Sequence, residues 1–167
     1  MALTLSPSAT LNVPLQCAFA PITGVDEVVT LSTTGTVSGG TFTLTFGGQT
    51  TTAIAYNATA ATVSAALVAL STIGTGNVTC AAGPLPSTGV TIQFTGTLSG
   101  QNVGAITSTD SLTGSTPATV LTVTTAGVQG SFRGAPQYSV LMRTDTPGYL
   151  YVNTNTAARP VWTEQSV

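Results

Sequence analysis

The chain has 167 residues, of which 42% are hydrophobic, enough for one folded domain with appendages. Only 5% are charged, against about 25% in an ordinary domain, and the three basic residues are all Arg. The lack of clustered cations argues against nucleic-acid binding, and the lack of His and Lys removes the commonest general base and Schiff-base catalysis.

The first two dozen residues predict an extended N-terminal arm, residues 1–24. Pro7, Pro14 and Pro21 disfavour a helix and suit a polyproline or edge-strand course. No basic residue precedes the apolar stretch, and prolines interrupt it, so we expect no secretory signal. No window approaches 18 uninterrupted apolar residues, so we expect no transmembrane helix and no membrane partner.

Residues 25–128 predict a β-sandwich domain. Strands are expected at 26–33, 41–46 and 50–56, where β-branched and aromatic residues are enriched. In "TFTLTF" the threonines alternate with Phe42, Leu44 and Phe46, which is the period of a strand with one buried face. The Gly47-Gly48 step that follows predicts a tight hairpin turn.

A single helix is predicted near residues 59–72, in "NATAATVSAALVALSTIG". Val63, Leu67 and Leu70 follow the i, i+4, i+7 spacing of one apolar stripe, with Ala60 and Ala66 beside it. The candidate caps are Asn57 or Thr59 at the start and Gly74 or Gly76 at the end.

After the helix, strands are expected at 77–82, 89–97 and 118–127, with a further short strand around 103–106.

The acidic residues are interpreted as structural. Asp26 and Glu27 open a strand at a solvated edge, and Asp110 makes a turn in "STDS". The alternative is a glycosidase-type carboxylate pair of Asp26 or Glu27 with Asp110. For Cys17 and Cys80 we favour two free thiols, and a disulfide between them stays open.

Residues 129–167 predict a small C-terminal β-hairpin module. Turn signals at Pro147-Gly148 and at 153–156 separate short strand-like runs. Tyr149, Tyr151 and Trp162 are expected to cluster there, either as the core of the module or as anchors for a partner subunit. The fold class is therefore mainly β: an antiparallel, Ig-like β-sandwich with one short α-helix, an N-terminal arm and a C-terminal hairpin module.

Several motifs resemble a known domain. "GGTFTLTFGGQTTTAIAYNATAATVSAALVALSTIGTGNVTCAAGP", "VTIQFTGTLSGQNVGAIT" and "TVLTVTTAG", between Val25 and Gly127, resemble a β-sandwich domain of virion structural proteins of tailed phages, especially those of actinobacterial hosts, and of some bacterial surface proteins. "PGYLYVNTNTAARPVWT" is similar to short segments of phage head-fibre and decoration proteins. The family carries no catalytic residues that match this chain.

The resemblance implies a capsid decoration protein, made in the host cytoplasm and bound to the outer surface of the virion head. Its expected partners are the major capsid protein and further copies of itself, with a trimer favoured; no enzyme activity, cofactor or metal is expected. The arm and the hairpin module are expected to make the contacts, through Leu3, Leu5, Leu11, Val13, Tyr149, Tyr151 and Trp162. Two alternatives are kept: a tail-tube or tail-tip component, and a carbohydrate-binding module for a host-surface glycan.

Overall fold

The computed structural model describes residues 15–17, 23–130, 140–143, 149–155 and 161–166. These residues form a mainly β, largely antiparallel structure with one α-helix, which confirms these parts of the predicted fold class; its Ig-like character stays a prediction. The helix is α1 (Ala60–Val68). The strands are β1 (Leu15–Cys17), β2 (Val28–Phe46), β3 (Gln49–Thr50), β4 (Ile54–Ala55), β5 (Val78–Ala82), β6 (Val90–Phe94), β7 (Thr107–Thr125), β8 (Val140–Arg143), β9 (Tyr149–Asn153) and β10 (Trp162–Ser166).

Two long strands build the sandwich. β2 and β7 have 19 residues each and pair with each other along their whole length. A straight strand of that length would span about 60 Å. However, the Phe94 amide donates to the Glu27 carbonyl at 3.0 Å, and the Phe94 ring stacks on Phe46 with centroids 5.2 Å apart. The two ends of β2 are therefore close together, and the β2–β7 ribbon is bent back on itself.

The bend produces two layers from one pair of strands. In the first layer, Val28–Leu31 of β2 lie between β6 and the last part of β7, and β5 follows β6. In the second layer, Thr41–Phe46 lie between β3 and β4 on one side and the first part of β7 on the other. Strands that pass from one sheet to another at a bend are a known way of closing a sandwich. The core between the layers includes Val29, Leu31, Phe42, Leu44, Phe46, Val63, Leu67, Val90, Ile92 and Phe94.

The ribbon bend, residues 34–40 of β2 and 113–118 of β7, is mostly exposed and contains no charged residue. Its register shifts between Thr34 and Thr36 and again between Val37 and Gly39, and such bulges increase local twist and bending. Gly114 has φ 143°, and a Cβ placed there would lie 1.8 Å from the Thr36 carbonyl oxygen. The two strands can approach this closely only because no side chain intervenes.

The hairpin and the helix follow local signals. Gly47 and Gly48 both have positive φ, 56° and 79°, as a tight primed turn requires. Thr59 is the N-cap of α1, and its side chain accepts from the Thr62 amide at 3.3 Å. The helix buries Val63 and Leu67 and contacts β4, β5 and β6, so it fills the side of the sandwich opposite β7.

The segment before β7 differs from the prediction. The short strand expected around 103–106 is absent: Val103 and Ile106 are buried but lie in a loop, and the strand begins at Thr107. "STDSLTGST", which reads as a turn-rich segment, forms the first half of β7. Its pairing with β2 supplies the backbone hydrogen bonds that override weak local strand propensity.

A second sheet, in the order β1-β8-β9-β10, joins both ends of the chain. β8 and β9 are antiparallel, as are β9 and β10, whereas β1 runs parallel to β8 with Leu15 opposite Leu141. Part of the predicted arm therefore shares a sheet with the predicted C-terminal module. Within the described ranges, no helix has the length and hydropathy of a membrane span.

Candidate interaction surfaces

The segments that lead to both appendages leave the sandwich at one end, which we call the base. Val25 and Val128 form an isolated antiparallel bridge with two hydrogen bonds of 2.9 Å. The Gly130 amide donates to the Gly100 carbonyl at 3.1 Å. A Cβ on Gly127 would lie 2.1 Å from the Gln101 carbonyl oxygen, so these two segments of the backbone are tightly packed. The base therefore joins the entry into the sandwich, its exit, and the loop after β6.

Asp26 and Glu27 hold this junction together from inside. They are only 7% and 4% exposed. Asp26 Oδ1 accepts from the Gly100 amide at 2.8 Å, and Glu27 Oε2 accepts from the Val103 amide at 3.2 Å. The prediction of a solvated strand edge is wrong, because the loop after β6 folds over both carboxylates and supplies them with backbone donors.

Asp110 does not lie in the turn that the sequence predicted. It lies within β7, opposite Phe42. Its carboxylate accepts from the Thr119 amide at 2.9 Å and from the Thr119 hydroxyl at 2.7 Å, and the Thr119 hydroxyl oxygen lies at hydrogen-bond distance, 2.6 Å, from the Ser108 hydroxyl. The prediction of a turn is wrong. Asp110 instead connects the two halves of the bent strand β7.

Asp26, Glu27 and Asp110 therefore all bind donors of the chain's own fold. Among the described residues there is no group of three or more His, Cys, Asp or Glu side chains that could hold a metal ion. A shallow groove of about 460 Å³ lies between α1 and the segment of β4, and Thr, Ala and Ile side chains line it. We found no described feature that assembles catalytic groups, and the expectation that the chain is not an enzyme stays a prediction.

Cys80 is a free thiol on β5. Burial raises its pKa to about 11, and a hydrogen bond with Ser64 opposes this rise only in part. A thiol of this kind is a weak nucleophile at neutral pH. Cys80 therefore packs as a small half-buried side chain.

Two aromatic residues of the C-terminal sheet are covered within the chain. Tyr151 and Trp162 are buried, and the Tyr151 hydroxyl donates to Glu164 Oε2 at 3.2 Å. Asn153 is fully buried, and its Oδ1 accepts from the amides of Asn155 and Val161 at 3.0 and 3.1 Å. These contacts fix the β9–β10 hairpin. A role of Tyr151 and Trp162 in subunit contacts stays a prediction.

The structure does not describe the side chains of the other predicted contact residues. Leu3, Leu5, Leu11 and Val13 lie outside the described residues, and Tyr149 is described only as a backbone position opposite Ser166. Sequence reasoning did not single out the outer edge of β7. The signal that was available is the run from Ser111 to Phe132, which contains no charged residue.

The chain was compared with known proteins. No family model and no curated protein matches it. Among solved structures, it is similar to a chain described as "Mycobacterium phage Patience", with 18% sequence identity and a TM-score of 0.41. The match covers 90% of this chain and 59% of that chain, so this chain spans about three fifths of the length of the solved one.

Proposed function

We propose that the chain is a phage capsid decoration protein, which binds the outside of the head and stabilises the shell. The observation that carries the proposal is the base. The Val25–Val128 bridge places the residues that lead to the arm and those that lead to the C-terminal sheet side by side. Because β1 of the arm pairs with β8, part of the arm and the C-terminal sheet form one unit, which we call the attachment unit.

The opposite end of the sandwich suits the outer surface of a particle. From Val28 to the start of the ribbon bend is six residues of strand, or roughly 20 Å. The bend is exposed and uncharged, so neighbouring copies on a shell meet little electrostatic repulsion. Threonine and serine keep such a surface wetted, and the β-branched threonines favour the extended backbone.

The resemblance of residues 25–127 to virion β-sandwich domains points in the same direction. A sugar-binding role would be favoured by an aromatic side chain on the surface. Tyr56 is half-buried, and the remaining aromatic side chains that the structure describes are buried. We therefore propose decoration alone, and treat a tail location as an outcome of the test.

The test uses virions and purified heads that lack the protein. We expect the full chain to co-sediment with these heads and to appear by cryo-electron microscopy as regular outer density, and an antibody to label heads in intact virions. Label on tails, or no binding to heads, would contradict the proposal.

Removal of residues 2–14, which keeps strand β1, tests the contribution of the arm. We expect reduced occupancy of the heads, because arm docking by strand addition relies on backbone hydrogen bonds. The full chain is the control. Full occupancy by the shortened chain would contradict arm docking, because the attachment unit would then bind without residues 2–14.

A further inference from the structure

Strand β7 has a long outer edge. Among the strands that the structure describes, β7 pairs only with β2, from Thr107 to Thr125 with three breaks in register. Natural proteins protect such edges with charged residues, prolines or bulges. β7 has Asp110 near one end and Pro117 at the ribbon bend, but residues 118–125 carry neither a charge nor a proline. Between Thr119, whose amide binds the Asp110 carboxylate, and the bulge at Thr124, the edge is therefore unprotected.

The register shows which backbone groups point outwards. The Thr119 amide donates to Asp110, so it does not point to β2. Pairing with β2 is uninterrupted from Ala118 to Val123, and alternate residues of an antiparallel strand direct their backbone groups to the same edge. Leu121 and Val123 therefore present both N–H and C=O to the outer edge.

The side chains at this edge are apolar and exposed. Val123 lies opposite the buried Val29 but is 54% exposed, because the core ends at β7. Val120, on the other face, is 36% exposed. Leu121 packs partly against the core beside Val123. An edge of this kind leaves apolar surface in water that a further strand would cover.

We propose that the second half of β7 pairs antiparallel with the same segment of a second copy, about a two-fold axis at Thr122. In this register Leu121 lies opposite Val123 of the second copy, and each such pair exchanges two backbone hydrogen bonds. The exposed Val123 is then covered by a leucine. A single eight-stranded sheet runs through both copies.

A second copy fits this edge better than a charged partner does. Residues 118–125 are uncharged, so no like charges lie within the paired segments; the nearest carboxylate, Asp110, is bonded to Thr119, three residues from the axis. The register is self-complementary, as a two-fold interface requires. The ribbon bend and the bulge near Thr124 limit the pairing to a few residues. The contact is therefore weak in solution and gains strength where copies are held close together. The inference goes beyond the proposed function and does not depend on it.

The test is a disulfide placed on the axis. In the full chain with Cys17→Ser and Cys80→Ala, Thr122→Cys puts two sulfurs across a non-hydrogen-bonded pair, whose Cα atoms are about 4.5 Å apart. Val120→Cys is the matched control, since it lies on the same face two residues away but about 13 Å from its own copy. We expect oxidised dimer at position 122 at a level at least about tenfold above that at position 120.

Equal cross-linking at both positions, cross-linking at 120 alone, or none at either would overturn the pairing. A second variant separates pairing from random collision. Val123→Lys added to Thr122→Cys places a charge at the edge while the side chain stays exposed. We expect the yield of dimer to fall with an unchanged circular dichroism spectrum. An unchanged yield would overturn the proposal.

Discussion

The buried carboxylate of Asp26 offers a direct test of how the base is held. Asp26→Ala removes the acceptor for the Gly100 amide, which lies at 2.8 Å in a buried position, and for the Gln93 side chain at 3.0 Å. A buried donor left without its acceptor costs about 1–3 kcal/mol, and loss of the part-buried bond to Gln93 adds up to about 1 kcal/mol. We therefore expect a loss of about 1–4 kcal/mol in the free energy of unfolding.

Asp110→Ala is the matched control, because it removes the same side chain from an exposed position. The Thr119 amide that it leaves can bind water, so we expect a loss below about 1 kcal/mol. Urea unfolding followed by far-ultraviolet circular dichroism compares the two variants, with an unchanged slope as the sign that both unfold the same structure. Asp26→Asn keeps one oxygen acceptor and should fall between Asp26→Ala and the parent. If Asp26→Ala is no more damaging than Asp110→Ala, the reasoning about the base is wrong.

Three further predictions concern the bend, the core and the thiol. Gly114→Ala should prevent the close approach of β2 and β7 and strongly lower the melting temperature of the protein. Gly104→Ala is the control and should change the melting temperature little, because a Cβ at Gly104 meets nothing within 4 Å. Similar melting temperatures of the two variants would contradict the account of the bend. Phe94→Ala should lower the free energy of unfolding, measured in urea, by about 3–5 kcal/mol, since it removes a fully buried ring from the stack that joins the two layers. A decrease below about 1 kcal/mol would contradict the role of that stack. In a Cys17→Ser background, alkylation of Cys80 at pH 8 should be about 100-fold slower in the folded chain than in urea, because its pKa is raised to about 11 and the thiolate is rarer. Equal rates would show that Cys80 is not desolvated. By the same linkage, the stability that protonated Cys80 contributes is complete below pH 9 and is lost as the pH rises towards 11.

Local patterns were sufficient for the elements whose signals lie within a few residues. The spacing of Val63, Leu67 and Leu70 predicted one buried stripe, and all three are buried, with Val63 and Leu67 in α1 and Leu70 just after its end. The Gly47-Gly48 step predicted the hairpin turn, since both positions need positive φ. These features depend on the chain's own backbone preferences and on which side chains avoid water, and both can be read from neighbouring residues.

Tertiary structure alone decided how the long strands bend and where the acidic residues lie. The glycines and threonines of the ribbon bend look like an ordinary loop, and only the pairing of β2 with a strand more than 70 residues later makes them a bent ribbon. Asp26 and Glu27 look like exposed residues until the loop after β6 covers them. The physical reason is the same in both cases: the backbone partners that satisfy these groups are distant in sequence, so no local pattern records them.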